Sequence, residues 1–264
     1  MQGVVPSTND FRRIRDLPRR VWQQDPDLDE LVRLMSWHLM HNPRPCARPK
    51  ECVGCRTLGG LLPAQAVCLR ESTNLRGGVG ALRVGAGKTL VSFLIAALLV
   101  SERPLLVVPA SVIKQTRAEY RQYARHWKIP PLEIVTYSFL GHPNNREWLL
   151  KFKPTLLVLD EAQNIKSLDA RVTKRVGHFK KAHPEVPLIT LTGSLTDRSV
   201  QRYRHYMTWA LGGGAPVPRD PFEAQSWAMC LDEKLPDEDL RVAPGPLLTL
   251  APSGQRSGPD DLRD

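Results

Sequence analysis

The glycine-rich stretch Val84-Gly85-Ala86-Gly87-Lys88-Thr89 constrains this chain most, because it is paired with Asp160-Glu161, 72 residues beyond its lysine, at the close of the apolar run Thr155 to Leu159. Glycines at 85 and 87 allow a tight turn that aims successive N–H groups into a concave anion site. Leu90 to Val100 is apolar almost all round, as a helix buried beside a sheet is. The start of such a helix adds partial positive charge to the same site. Lys88 offers a point charge to the β- and γ-phosphates of a nucleotide, and the Thr89 hydroxyl a ligand for Mg²⁺. A carboxylate at the C-terminal end of a central parallel strand lies where open α/β sheets bind ligands. Asp160 is therefore read as holding the metal, directly or through water, and Glu161 as orienting and deprotonating an attacking water. Each stretch has a plainer alternative, a turn before a core helix and an acidic cap on the next helix. Together and in this order they read as the two halves of a nucleoside-triphosphatase site. The full loop pattern has Gly where this chain has Leu82.

Short apolar runs alternate with helical segments between about 79 and 192, which predicts a parallel sheet wrapped by helices. Strands are expected near 79–84, 104–108, 132–137, 155–159 and 187–192. Upstream, Asp27 to Met40 reads as an amphipathic helix with Leu28, Leu31, Met35 and Leu39 on one face and a capping box between Asp27 and Glu30. Downstream, Thr196 to Leu211 reads as a helix stopped by Gly212-Gly213-Gly214. Beyond Pro216 the chain is Pro-rich, and from about Pro244 its composition suits disorder. There are no internal repeats.

Asp160-Glu161-Ala162-Gln163-Asn164-Ile165-Lys166 resembles motif II of superfamily 2 helicases, above all the Swi/Snf-type double-stranded DNA translocases. Further motifs occur in the family's order. Leu61-Leu62-Pro63-Ala64-Gln65 resembles the segment whose glutamine reads the adenine, and Gly77-Gly78 the glycine pair ahead of the phosphate loop. Leu105-Leu106-Val107-Val108-Pro109-Ala110-Ser111 resembles motif Ia, which runs into a nucleic-acid-contacting turn. Ile134-Val135-Thr136-Tyr137 resembles the next family strand. Leu191-Thr192-Gly193-Ser194 resembles motif III, which couples nucleotide to DNA; the family continues with Thr-Pro where this chain has Ser194-Leu195. The resemblance spans about residues 58 to 210. It implies an α/β fold: a single RecA-like P-loop domain, 58–215, with a helical N-terminal extension, 1–57, and a Pro-rich acidic tail, 216–264, partly disordered. It also implies ATP and Mg²⁺ as cofactors. The nucleotide would be held by Gln65, Gly85, Ala86, Gly87, Lys88, Thr89 and Gln163, the metal by Thr89 and Asp160, and catalysis would fall to Lys88, Asp160 and Glu161. The family's second RecA-like lobe supplies arginine fingers from a Gly-Arg-x-x-Arg type motif. No such motif occurs after Thr192, so a second lobe or partner chain is an expected partner. Two other readings stand beside this one: a catalytically silent ATP- and DNA-binding module, and an unrelated P-loop NTPase of kinase or clamp-loader type. Gln65 and Leu191-Thr192-Gly193-Ser194 speak against the last.

The net charge of +10 is uneven: residues 220–264 hold ten acids and four bases, leaving +16 on residues 1–219. A body this basic attracts polyanions. Arg117, Arg121 and Arg125 recur every fourth residue on the helix after motif Ia. Arg171, Lys174 and Arg175 come after the Asp-Glu pair, and Arg198, Arg202 and Arg204 after motif III. A solvated helix face is the bland explanation of any one stripe. The resemblance lays double-stranded DNA across the loops of motifs Ia and III, which nominates Ser111, Arg117, Arg121, Thr192 and Arg198 as nucleic-acid contacts.

His38, His41, Cys46, Cys52, Cys55 and Cys68 lie within 31 residues. Cys52-Val53-Gly54-Cys55 has the spacing of a zinc knuckle, and Cys46 with either His41 or Cys68 would complete four ligands. Free buried thiols are the alternative. Five cysteines without a regular framework argue against a secreted disulfide scaffold. The longest apolar stretch is too short to span a bilayer, and no apolar signal segment opens the chain. The expectation is a cytoplasmic protein of a bacterial cell or phage-infected host, or a nucleoid-associated one, with no membrane partner.

Overall fold

The computed structural model describes residues 8–18, 21–193 and 201–231. In chain order its helices are α1 (Thr8–Arg15), α2 (Leu28–Leu39), α3 (Pro63–Asn74), α4 (Lys88–Leu98), α5 (Ile113–Tyr123), α6 (Tyr137–Gly141), α7 (Trp148–Phe152), α8 (Arg171–Ala182), α9 (Gln201–Leu211) and α10 (Pro221–Leu231). Its strands are β1 (Gly78–Ala81), β2 (Pro104–Val108), β3 (Glu133–Thr136), β4 (Leu156–Asp160) and β5 (Leu188–Thr192). The chain divides into two compact units, one of residues 20–194 and one joining 1–19 to 195–264.

The first unit is built on a five-stranded sheet of order β1-β5-β4-β2-β3, with every pair parallel. The α/β class expected from the alternation of apolar runs and helical segments is the one observed. β2 and β5 are buried along their whole length, and β4 up to Asp160, which is why these strands read as continuous apolar runs rather than alternating ones. On one face Leu106, Val108, Leu156, Val158, Ile189 and Leu191 meet α4, which buries Leu90, Phe93, Leu94 and Ile95 completely. Their alternates Leu105, Val107, Leu157 and Leu159 are buried too, so both faces are covered. Phe93 sits edge-on to Tyr120 and Tyr123, with ring centroids 5.6 and 6.1 Å away.

α2 joins the same core through Leu39, with Leu31 and Met35 against its margin. The capping box expected at its start is not formed: Asp27 makes no side-chain cap, and Glu30 is taken by the Arg33 guanidinium at 2.6 and 2.8 Å. Among the described residues no helix is long and apolar enough to cross a membrane.

The second unit contains two helices that the sequence pattern did not announce, α1 and α10. α10 starts with Pro221 at the first helical position, where the missing N–H costs nothing. It buries Ala224, Trp227 and Ala228, spaced three and four apart. α9 ends at the expected Gly212-Gly213-Gly214, whereas 196–200, the expected start of that helix, lie outside the described residues. Arg13 caps the glycine turn, donating to the carbonyls of Gly213, Ala215 and Val217 at 2.8, 2.6 and 2.8 Å. It also pairs with Asp10 at 2.7 Å. Burial pushes the Asp10 carboxyl up, but hydrogen bonds from Arg13 and the Arg219 N–H outweigh it and hold the group below the ordinary carboxylate range.

Because Phe93 is fully enclosed, Phe93→Ala should destabilise the chain by about 3–5 kcal/mol. Leu34→Ala, on the exposed side of α2, should change stability by less than about 0.5 kcal/mol. Urea unfolding checks this as a shift of midpoint at unchanged slope; a neutral Phe93→Ala would contradict the packing described.

Candidate functional site

The phosphate-loop segment leaves β1 at Ala81. Leu82 carries the ladder one step further, its N–H donating to Thr192 O at 3.1 Å. Its side chain is buried in the core, and its carbonyl accepts from Lys88 Nζ at 3.2 Å. Position 82 is thus used through its backbone, and its φ is not left-handed, so the glycine of the full pattern is not required. Glycine is required further on. Gly85 and Gly87 have φ of 84° and 71°, and a Cβ on Gly87 would fall 2.3 Å from Gln65 Nε2. α4 then begins at Lys88, with Lys88 and Thr89 in its first turn.

Gln65 lies in the first turn of α3 with its side chain buried. Its Nε2 donates to Ala86 O at 3.0 Å and Gly87 O at 3.3 Å, while its Oε1 accepts the Leu62 N–H at 2.8 Å. The side chain expected to read an adenine hydrogen-bonds the glycine-rich loop through two carbonyls.

The sheet order brings the other motifs beside this loop. β5 lies between β1 and β4, with Ala81 opposite Thr192 and Asp160 opposite Leu191. Asp160 ends β4, and Glu161 comes next with left-handed φ of 53°, a conformation that costs a non-glycine residue on the order of 1–3 kcal/mol. The turn directs the Glu161 carboxylate to Lys88, Oε1 to Nζ 3.7 Å. Gln163 Nε2 donates to Glu161 Oε2 at 2.8 Å, and Thr192 Oγ1 donates to Gln163 Oε1 at 2.8 Å. Gly193 brings its backbone so close that a Cβ there would lie 3.3 Å from Lys88 Nζ. Lys88, Glu161, Gln163 and Thr192 thus form one polar chain across three strand ends. Tyr137, which composition did not single out as functional, fixes this turn by donating its hydroxyl to Asp160 O at 2.7 Å.

Burial, and then the neighbouring Glu161 charge, push the Asp160 carboxyl up to about 6, against the opposing pull of the Glu161 N–H and Lys88. A partly buried carboxylate beside a second one is a place where a cation is favourable. Thr89 and Asp160, the two expected metal ligands, each carry an oxygen donor of the kind Mg²⁺ prefers.

Of the proposed nucleic-acid contacts, Ser111 is exposed on the turn after β2, at the same end of the sheet as Asp160, and Arg117 and Arg121 are exposed on α5. Arg117 also donates to Ile134 O at 2.9 Å. Arg125 lies just past the end of α5. Thr192 does not face outward: it is fully buried and its hydroxyl is committed to Gln163. Arg198 lies outside the described residues. On α8, Lys174 pairs with Asp169 at 3.2 Å, and Arg175 donates to the carbonyls of Leu140 and His142.

Cys46, Cys52 and Cys55 converge, but neither candidate fourth ligand joins them. His41 Nε2 meets Ala124 O at 3.0 Å. Cys68 faces β1, where a Cβ on Gly80 would lie 2.9 Å from its sulfur, and burial pushes its thiol up to about 11. The fourth position is taken by His126. It lies 71 residues beyond Cys55 and shares no local spacing with the cysteines, so only the fold reveals it.

No protein-family model matches the chain, and no curated protein does. Among solved structures it is similar to the Hef helicase domain of Pyrococcus furiosus, at 17% identity and a TM-score of 0.44. That match covers 55% of this chain and 35% of the other, so the chain spans only about a third of that domain. At this level the α/β assignment rests on the strand order and register above.

A pH effect on stability arises from Asp160. Its folded pKa lies above the ordinary value of 3.8, so between about 4 and about 6 the folded state holds more protons than the unfolded, and stability falls as pH rises through that window. Without divalent metal, Asp160→Asn should therefore be more stable than the parent above pH 6, on the order of 2 kcal/mol, with the gap closing below pH 4. Melting curves in chelator across pH 4–8 would show it; a gap that widens toward low pH would contradict it.

Proposed function

We propose that this chain is the ATP-binding and hydrolysing lobe of a helicase-type motor of the Swi/Snf kind, acting on double-stranded DNA and completed by a second RecA-like lobe. The observation that carries the reading is the meeting of three motif ends at β1, β5 and β4: the glycine loop with Lys88, Gly193, and the Asp160-Glu161 turn. A P-loop alone would suit many NTPases. The Lys88–Glu161–Gln163–Thr192 chain is what a motor needs to relate its phosphate loop to the strand that leads toward DNA.

The residues fit the nucleotide they would hold. Left-handed glycines at 85 and 87, the start of α4 and the Lys88 ammonium all favour an anion. Gly85, Ala86, Gly87 and Lys88 would cradle the phosphates, and Thr89 and Asp160 would hold Mg²⁺. ATP supplies the phosphoanhydride whose cleavage powers a motor of this type. Glu161 orients a water and accepts its proton. Gln163 steadies that carboxylate by its 2.8 Å hydrogen bond, and Gln65 keeps the loop in shape. The transferring phosphoryl group also needs positive charge that grows in importance at the transition state; Lys88, committed to ground-state phosphates, does not provide it. That role falls to arginines of a second lobe.

Double-stranded DNA is proposed as the track on the strength of the basic residues 1–219, the exposed Ser111 at the nucleotide end of the sheet, and the exposed Arg117 and Arg121 on α5. Contacts of this kind go to phosphates and carry no sequence information. A second reading, a catalytically silent ATP- and DNA-binding module, draws support from Glu161, whose carboxylate already pairs with Lys88 at 3.7 Å and accepts a hydrogen bond from Gln163.

Turnover separates the two readings. The 264-residue chain should hydrolyse ATP slowly and gain little from DNA, and supplying a second lobe in trans should raise the rate about a thousandfold or more. Glu161→Gln should abolish both rates. A chain that stays inactive with every second lobe tried would favour the silent module. Strong DNA-stimulated hydrolysis by the lone monomer would remove the need for a second lobe.

Duplex binding, measured over a salt series, should weaken steeply and be indifferent to scrambled sequence. A flat salt response would remove the electrostatic argument.

A further inference from the structure

Outside the nucleotide site, the densest group of reactive side chains in the described residues is Cys46, Cys52, Cys55 and His126, whose donor atoms all lie within 4.8 Å of one another. We propose that these four residues hold a structural Zn²⁺ ion that fastens the segment between α2 and α3 to the end of α5.

The geometry is that of a single tetrahedral ion. With Zn–S of about 2.3 Å and Zn–N of about 2.0–2.1 Å, the edges of the tetrahedron are roughly 3.8 Å between sulfurs and roughly 3.6 Å from sulfur to nitrogen. His126 Nε2 lies 3.2, 3.8 and 3.4 Å from the sulfurs of Cys46, Cys52 and Cys55. Cys46 and Cys52 sulfurs are 3.9 Å apart. An iron–sulfur cluster would need its ligands further apart, and a disulfide would need one pair at bonding distance.

The surroundings orient the ligands. His126 Nδ1 is 2.9 Å from Asn42 O. A carbonyl only accepts, so Nδ1 carries the proton and Nε2 presents its lone pair to the thiols, the arrangement that metal-bound histidines share. The Cys46 N–H donates to Cys55 Sγ at 3.2 Å, which stabilises a thiolate. Gly54, between two of the cysteines, passes so close that a Cβ there would lie 2.6 Å from His126 Cδ2 and 2.7 Å from Gln122 O. His126 is fully buried and Cys52 nearly so. Four protein donors close the coordination sphere, which marks a structural rather than a catalytic zinc.

Around the ion, two stretches of chain far apart in sequence are already stitched together. His41 and Asn42 N–H groups donate to His126 O at 2.9 and 3.2 Å, and Lys128 N–H to Leu39 O at 2.7 Å. Trp127, fully buried, donates its indole N–H to Thr57 Oγ1 at 2.8 Å, and the Val53 N–H reaches Gln122 Oε1 at 2.9 Å. The ion locks this seam just ahead of α3, the helix whose Gln65 holds the phosphate loop. The assignment is independent of the nucleotide reading.

The test is metal content by mass spectrometry of the elements after equilibrium dialysis against zinc and removal of excess. The unmodified chain should hold about one zinc, and Cys52→Ser with Cys55→Ser should hold none. His126→Cys, which restores four donors, should keep it. His41→Ala and Cys68→Ser should keep it as well. Should the double variant fail to fold, Co²⁺ added to the unmodified chain decides: thiolate charge-transfer bands with the visible spectrum of a tetrahedral ion are expected. Absence of both stoichiometric zinc and those cobalt bands would overturn the proposal. So would zinc that survives loss of Cys52 and Cys55, or that depends on His41 or Cys68.

Discussion

The register that sets Ala81 against Thr192 and Asp160 against Leu191 is the constraint on which the rest of the candidate site depends. Parallel strands deliver all their C-terminal ends to one edge of a sheet, and β5 between β1 and β4 puts three functional turns side by side. Lys88, at the head of α4, is thereby within 3.7 Å of Glu161, and Gly193 leaves room for its ammonium. The fully buried face of α4 anchors this arrangement. A loop that must present backbone N–H groups to an anion has few side-chain contacts of its own, so its shape is held from beneath by that helix and from the side by Gln65.

The polar chain at this edge also gives Lys88 two partners of its own. The Lys88 ammonium lies between Leu82 O and the Glu161 carboxylate. Glu161 reaches it through a strained, left-handed turn. In the proposed function, phosphates entering the loop would compete with Glu161 for Lys88 and free that carboxylate toward water. Gln163 donates to that carboxylate and in turn accepts from Thr192, which links Glu161 to the end of β5. This connection is made through hydrogen-bonded side chains that touch, rather than through a long path.

Much of this is legible in the sequence, for identifiable reasons. Buried parallel strands leave uninterrupted apolar runs, so β2, β4 and β5 are recognisable, and glycine spacing marks the positions where left-handed backbone is required. Contacts are less legible wherever they join distant segments. Nothing local to His126 distinguishes it from any other histidine, whereas His41 and Cys68 stand beside the cysteines in sequence and not in space. Thr192 is nominated as a DNA contact by the resemblance at motif III, but it ends a strand paired with β1 and is buried there. The Asp27–Glu30 capping box fails because Arg33, one turn on, binds Glu30 more strongly than a backbone N–H does. Leu82 reads as a defect in the loop pattern because the sequence does not show that its backbone serves the loop while its side chain fills the core.

The central claim is that Lys88 serves the phosphates while Glu161 serves the water. Equilibrium binding of Mg²⁺ with a non-hydrolysable ATP analogue to three chains tests it most directly. The account predicts that Lys88→Ala binds at least tenfold more weakly than the parent. Glu161→Gln should bind as tightly as the parent or more tightly, because the amide gives up its claim on Lys88. Equal losses in the two variants would contradict the division of roles, and undiminished binding by Lys88→Ala would contradict the nucleotide site itself.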